Sequence, residues 1–453
     1  MASSDVVVVI PGILGSVLEK DGREVWAPSA GAIARAIGTL GRSVADLAIA
    51  GDDSGVDDIG DGVMATRLVP DTHLVPGFWK VDGYSDFVRF LQRRLGLVPG
   101  ENLFELAYDW RRSNRVTARR LAAQSQQWLK AWRTRHPDAK LILIAHSMGG
   151  LVSRYFLETL GGYRDTRLLI TLGTPYGGSI SALDSLVNGL RKRVAGLTLF
   201  DLSDFLRSLS SVHELAPTFP CVSVDGGELR RVSEVRTLPH IDWARLDKAA
   251  AFHAEIRAGV DERAAAGGGY RILPIVGDYQ HTLQSATFID NVLEPLATYK
   301  GRDTAGDGTV PQISAVPYEM EIGSGMMTKT CHAALQNGQE IRNQVVHAIN
   351  GLELGKVITR SLGAPAGIGL QIDDLYAADE PIAGAVRSED PSRDLRIAIE
   401  TADRRQTVAS MTLVQGDDEW TKFELPPQPP GVYRLRVSGE DLQPVEDVLM
   451  TNA

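Results

Sequence analysis

The chain has 453 residues, 43% hydrophobic and 23% charged, the balance of a globular protein with a large core and more than one domain. A formal charge of −10 argues against a nucleic-acid partner, which needs a basic face, and no apolar run approaches the roughly 20 residues that cross a bilayer. Cys221 and Cys331 lie far apart in the chain, and there is no metal-spaced Cys/His cluster; free thiols and no cofactor or metal are expected.

The first element expected is a buried strand at Val6-Val7-Val8-Val9-Ile10, an unbroken apolar run of the kind parallel sheets cover on both faces. It follows Met-Ala-Ser-Ser-Asp, with neither a basic start nor a cleavage-like site, so no signal peptide is expected and the expected location is cytoplasmic. The loop Pro11-Gly12-Ile13-Leu14-Gly15 then presents backbone N–H groups at the strand's C-terminal end, where ligands of open α/β sheets sit. Residues 31–50 carry Ile33, Ile37, Leu40, Val44 and Leu47 at helical spacing, and 52–62 make an acidic, Gly-rich loop. A short strand is expected at 104–108 and an amphipathic helix at 116–135, stopped by His136-Pro137. Next come the strand Leu141-Ile142-Leu143-Ile144 and another at 167–172, the latter ending in Gly173-Thr174-Pro175-Tyr176-Gly177-Gly178. Strands and helices alternating over short links indicate a doubly wound, mostly parallel α/β sheet.

The alternation stops over 179–269, where helical stretches are expected at 180–199, 202–209 and 241–264, with a hairpin around Asp225-Gly226-Gly227. An insertion of this length suits a helical cap over an active site. The sheet resumes at 270–277, followed by a hairpin through Ile289-Asp290-Asn291, the loop 306–311, a strand running into His332, and a closing helix at 339–349. Residues 363–367 read as a Gly/Pro linker closing a first domain of 1–362. Beyond it, 368–453 shows regular short alternating runs, the pattern of a small all-β sandwich-like domain.

The chemistry centres on Ala145-His146-Ser147-Met148-Gly149, a variant of Gly-x-Ser-x-Gly. Strand, tight turn with serine at the tip, then helix is the setting of a nucleophile elbow, and small residues two before and two after the serine keep strand and helix from colliding. A serine hydroxyl needs a base, and the base an acid, in the chain order Ser, Asp/Glu, His. Of nine histidines, His146 points away from the serine and His347 falls in a helical run, which leaves His332 as the base. Two acids remain open: position favours Asp278, directly after a strand, while the flanking glycines and Thr309-Val310-Pro311 favour Asp307.

In order, the chain carries Pro-Gly-Ile-Leu-Gly-Ser (11–16), Val-Pro-Gly-Phe (75–78), Tyr-Asp-Trp-Arg (108–111), Ala-His-Ser-Met-Gly-Gly (145–150), Leu-Gly-Thr-Pro-Tyr-Gly-Gly (172–178), Gly-Asp-Gly-Thr-Val-Pro (306–311) and His332. This series resembles the lecithin:cholesterol acyltransferase-like family, whose members include phospholipases A and diacylglycerol acyltransferases, across about residues 5 to 350. The resemblance implies an α/β-hydrolase fold, a Ser147–His332–Asp307 triad, and an oxyanion hole made by the N–H groups of Ile13 and Met148. It implies an enzyme acting on lipid acyl esters, by hydrolysis or O-acyl transfer. Leu14, Tyr108, Trp110 and Tyr176 are the candidate pocket residues. The family's disulfide-closed lid is replaced here by a helix-like segment, 26–52, without cysteines. Expected partners are a lipid or other acyl-ester substrate, a lipid surface touched transiently, and a protein partner for the β-domain. The alternatives are a short-chain carboxylesterase or thioesterase, and a non-catalytic binding module on the same scaffold.

Overall fold

A computed structural model of the chain describes residues 4–26, 47–70, 72–75, 79–194, 197–353, 366–402, 405–415 and 420–452. Val6–Ile10 (β1), Leu103–Glu105 (β2), Leu141–His146 (β3), Thr166–Leu172 (β4), Arg271–Gly277 (β5) and Met326–Thr328 (β6) form one parallel sheet in the order β6-β5-β4-β3-β1-β2. The apolar runs fill its centre, with Val8 opposite Leu143, Val9 opposite Ile144 and Ile10 opposite Ala145, all buried. Parallel strands need crossovers, and helices supply them. These are Ser85–Leu95 (α1), Asn114–Trp132 (α2), Met148–Glu158 (α3) and, further on, Trp243–Ala265 (α7), while Gln339–Glu353 (α8) follows the sheet's last strand. Helix α2 begins at Ser113, whose hydroxyl accepts the Arg115 N–H, and buries Ala118, Leu121, Leu129 and Trp132. It packs on α3, and α3 packs on α7.

Within 179–269 lie Ile180–Val187 (α4), Ser203–Ser208 (α5), Ser210–Glu214 (α6) and α7. The helix expected over 180–199 ends early: Asn188 caps α4, Gly189 takes φ 77°, and an antiparallel hairpin, Arg191–Val194 with Leu197–Asp201, follows. An Asn-Gly pair is a strong helix stop, and it overrides the helical spacing of Leu186, Leu190 and Val194. The hairpins at Asp225-Gly226-Gly227 and Asp290-Asn291 form as expected, the latter pair with positive φ at both residues. Of the lid-like segment, Trp26 and 47–52 are described and 27–46 lie outside the described residues.

The C-terminal region is a two-sheet sandwich. One sheet orders Thr421–Leu425, Ile382–Ser388, Ala366–Ile372 and Leu442–Gln443; the other orders Leu375–Ala377, Val445–Asn452, Gly431–Ser438, Leu395–Thr401 and Thr407–Leu413. Ile368, Leu370, Val386, Ile397, Leu435 and Leu449 share its core, and Cys331 packs into the same cluster. Of the expected linker, 363–365 lie outside the described residues, while Ala366 and Gly367 already belong to a strand. The sandwich docks closely on the first domain. Val448 and Met450 join the larger core, Arg434 pairs with the buried Asp82, and Arg387 donates to the Tyr279 carbonyl at 2.9 Å. Both cysteines are buried. Among the described residues no helix is long and apolar enough to cross a membrane.

Candidate active site

Strand β3 ends at His146 and α3 starts at Met148, leaving Ser147 alone at the turn with φ 52° and ψ −124°. A residue with a Cβ is rarely held there, and such strain marks a position the surroundings enforce. Gly149 is required by close approach: a Cβ on it would lie 2.5 Å from the Pro11 carbonyl oxygen and 2.8 Å from that of Ile10. The first turn of α3 is thereby pressed against the loop after β1.

His332 follows β6 in a short 3-10 turn, and its Nε2 lies 3.0 Å from Ser147 Oγ. Its Nδ1 lies 2.6 Å from Oδ2 of Asp307, the acid in the loop beyond β5. The other carboxylate oxygen, Oδ1, accepts the N–H groups of Thr309 and Val310 at 2.9 and 2.7 Å, which fixes the acid in the turn. The backbone repeats the link, since His332 N–H donates to the Asp307 carbonyl at 2.8 Å. All three side chains are buried. The serine hydroxyl can donate to Nε2 while Nδ1–H donates to the carboxylate, the tautomer a general base requires. Asp278 stands elsewhere: its carboxylate accepts from Gln312 Nε2 at 2.8 Å and lies 3.4 Å from Lys329 Nζ. His347 is exposed on α8.

The side chain of Ile13 and the backbone of Met148 flank Ser147. Among the described residues neither amide N–H is taken up by a backbone hydrogen bond. A narrow cavity of ≈30 Å³ opens on Ser147, lined by Ile13, Pro175, Ala182, Val212, Leu215 and Val310 among others. Ala182, Val212 and Leu215 come from α4, α6 and the residue after it, so the 179–269 insertion lies over the serine. None of Leu14, Tyr108, Trp110 and Tyr176 lines this cavity. Tyr108 donates its phenol to the Pro11 carbonyl at 2.9 Å and Trp110 its indole N–H to the Ser16 carbonyl at 3.1 Å, so both brace the loop from beneath. Leu14 is buried and Tyr176 turns to Thr171, 2.9 Å away. Large aromatics signal burial in a sequence but not which side of a loop they support. A second cavity of ≈300 Å³ is lined by Asp307 and His332 on one side and by Leu370, Asp373 and Asp447 of the sandwich on the other; Ser181 and Thr309 line both cavities.

Three supporting residues lie outside the expected site residues. Thr174 Oγ1 donates to the Ser147 carbonyl at 2.9 Å. Tyr84 accepts the Gly12 N–H at 3.0 Å and lies 2.8 Å from Nδ1 of His146, whose Nε2 lies 3.1 Å from the His332 carbonyl oxygen. A carbonyl only accepts, so His146 carries its proton on Nε2 and Tyr84 donates to Nδ1. Burial, and then the neighbouring His332, push the His146 pKa down to about 3, and burial holds the Tyr84 phenol far above its usual range. Gln280, the third, donates from Nε2 to the carbonyls of Lys329 and Ile368 and accepts the Leu370 N–H at 3.0 Å, while its own backbone N–H reaches the Gly306 carbonyl at 3.1 Å. It joins the loops carrying acid and base to the sandwich.

A family model described as lecithin:cholesterol acyltransferase matches residues 72–241. The human "Lysosomal phospholipase A and acyltransferase" is 27% identical over 125 residues, 27% of this chain and 30% of that protein. "Phospholipase A(1) LCAT3" of Arabidopsis thaliana is 31% identical over 132 residues, 28% of each chain. The chain thus spans under a third of the length of these relatives. The propeptide form of Bacillus licheniformis lipase BlEst2 aligns over 99% of this chain and 93% of its own at 12% identity, with a TM-score of 0.36. Over residues 72–241, which run from ahead of α1 to just before α7 and include Ser147, this chain is similar to the lecithin:cholesterol acyltransferase family.

Proposed function

We propose that the protein is a serine acyl hydrolase with O-acyltransferase capacity, acting on ester-bound fatty acyl groups of lipids. The observation that carries this is the hydrogen-bonded chain from Ser147 through His332 to Asp307 at the mouth of an apolar cavity. His332 takes the Ser147 proton as Oγ bonds to the ester carbonyl carbon, and the Ile13 and Met148 N–H groups receive the oxyanion. On collapse the ester C–O bond breaks, His332 passes its proton to the departing alkoxide, and the acyl group stays on Ser147. Water or an alcohol, deprotonated in turn by His332, attacks the acyl-enzyme and restores the serine. Asp307 holds the imidazole in the Nδ1–H tautomer and stabilises its charged form.

Water at about 55 molar outcompetes any acceptor that is not bound at high effective concentration, so hydrolysis dominates in dilute buffer and transfer needs a supplied lipophilic alcohol. The test is covalent labelling by a fluorophosphonate, followed by chromatography of products from a labelled acylglycerol and a labelled phospholipid. Labelling and free fatty acid release are expected in wild type and absent in Ser147→Ala. An unlabelled wild-type protein that releases no acyl group would leave the binding-module alternative. The narrowness of the Ser147 cavity favours a second reading, a short-chain carboxylesterase. Turnover that falls steadily from butyrate to longer p-nitrophenyl esters would select it.

A further inference from the structure

The segment 173–178 that follows β4 contributes to two cavities. Pro175 lines the one at Ser147, whereas Tyr176 and Gly177 line another, of ≈270 Å³, that contains none of Ser147, Asp307 and His332. Helix α3 gives this second cavity Leu151 and Arg154, helix α7 gives it Ile256 and Arg257, and Phe219 and Arg231 complete its character. No carboxylate is among its described lining residues.

The three arginines differ in what they already hold. Arg231 pairs with Glu234 at 3.4 Å and is half exposed. Arg257 is exposed, and no described carboxylate pairs with its guanidinium. Arg154 is 2% exposed; its terminal nitrogens meet Tyr270 Oη, Glu158 and Glu319 at 2.6 to 2.9 Å, but its Nε–H has no acceptor. That guanidinium is therefore already matched by two carboxylates, and its Nε is sealed from the cavity. His253 adds no charge: its Nε2–H donates to the Glu214 carbonyl at 2.8 Å, and burial pushes its pKa down to about 4. Leu151, Ile256 and Phe219 make the remainder apolar. The Arg257 guanidinium beside an apolar wall complements a molecule with an anionic head and a hydrocarbon segment.

We propose that this cavity is a second lipid-recognition site, separate from the catalytic one. It takes an amphiphile with a singly anionic head, set against Arg257, and lays the hydrocarbon segment on Leu151, Ile256 and Phe219. The head is a carboxylate if the source is a free fatty acid, and a phosphate diester if it is an acidic phospholipid. The site rests on the cavity alone and does not depend on the catalytic assignment.

The experiment uses the full chain with Ser147 capped by a fluorophosphonate, so that the acyl cavity is filled, and Ser147→Ala protein in parallel should capping fail. Calorimetric titration with decanoate, and sedimentation with phosphatidylglycerol-containing vesicles against phosphatidylcholine vesicles, read the two sources. Saturable binding of either ligand is expected, weakened about tenfold by Arg257→Gln and abolished by Arg257→Glu, as loss or reversal of a charge-assisted contact requires. Arg257→Lys should keep most of the binding, and ester turnover of all three variants should match wild type. Decanoate binding alone assigns the carboxylate source, and vesicle binding alone assigns the phosphate diester. Absence of both, or equal binding by wild type and Arg257→Glu, overturns the site.

Discussion

The phenol oxygen of Tyr84 stands 2.8 Å from Nδ1 of His146 and 3.0 Å from the amide nitrogen of Gly12. One hydroxyl thus fixes the loop that carries Ile13 and, through the His146 ring, the carbonyl of His332. Removing it leaves a buried N–H and a buried ring nitrogen without partners while every triad side chain remains. Tyr84→Phe is expected to lower kcat about 10- to 100-fold with little change in KM, the signature of weakened transition-state stabilisation. Steady-state kinetics on a soluble p-nitrophenyl ester read this, and a rise in KM at constant kcat would contradict it.

The two candidate acids separate cleanly by experiment. Asp307→Asn should reduce kcat by about 10³-fold or more, because an amide in place of the carboxylate favours the wrong imidazole tautomer. Asp278→Asn, whose carboxylate meets Gln312 and Lys329 among the described residues, should stay within about threefold of wild type. Equal losses in both variants would place the acid elsewhere.

Gly277 ends β5 directly beneath the acid. A Cβ there would overlap Asp307 Cβ and come within 2.7 Å of its Cα, so the Asp307 backbone has to move. Gly277→Ala should cost about 1–3 kcal/mol of stability by overpacking. It should also lower kcat about 100-fold, since small displacements of catalytic groups are costly. Denaturant unfolding together with kinetics tests both halves; unchanged kcat would show that the acid tolerates displacement.

Glu214 is buried in the insertion, with Ser113 Oγ and the Asn114 N–H against its two oxygens at 2.6 and 2.7 Å. Burial pushes its pKa from the usual 4.5 up to about 7, despite the lowering effect of those bonds and of Arg115. Between these values the folded protein keeps a proton that the unfolded chain has released. The stability contributed by Glu214 is therefore full below 4.5 and is lost as pH rises through 7. Gln can donate to Ser113 and accept from Asn114 without titrating, so Glu214→Gln should gain on wild type in Tm between pH 5 and pH 8. A Tm difference that stays constant across that range would be the contrary result.

Where interactions lie close in sequence, the chain was readable. The elbow at 145–149 and the turn at 306–311 are built by neighbours within a few residues, and so are the hairpins at Asp225-Gly226-Gly227 and Asp290-Asn291. Tyr84 and Gln280 act on partners 62 and 90 residues away, and no spacing rule announces such a pair. The acidic loop at 52–62 has the same character. It reads as an acidic, Gly-rich loop, and it encloses two buried cations: Asp61 accepts from Arg111 at 2.8 Å, and Asp52 and the Asp57 carbonyl from Arg112 at 3.0 and 2.8 Å. The early end of α4 was visible at Asn188-Gly189, and the longer apolar period concealed it. Tyr108 and Trp110 read equally as pocket walls or as supports beneath the elbow, and their hydrogen bonds run to the loop after β1. The helix-like reading of 31–50 bears mainly on residues outside the described ones.

Cys331, the residue before His332, is packed into the sandwich core, and Gln280 ties the flanking loops to the sandwich strand at Ile368 and Leu370. The consequence concerns time. A ribosome releases Ser147 and Asp307 well before the strands Gly431–Ser438 and Val445–Asn452, which complete the surface under the His332 loop. A growing chain can fold β1 to β5 and display its serine while the base still lacks a seat. The seat of the base is therefore completed by strands made after Ser147, Asp307 and His332 themselves.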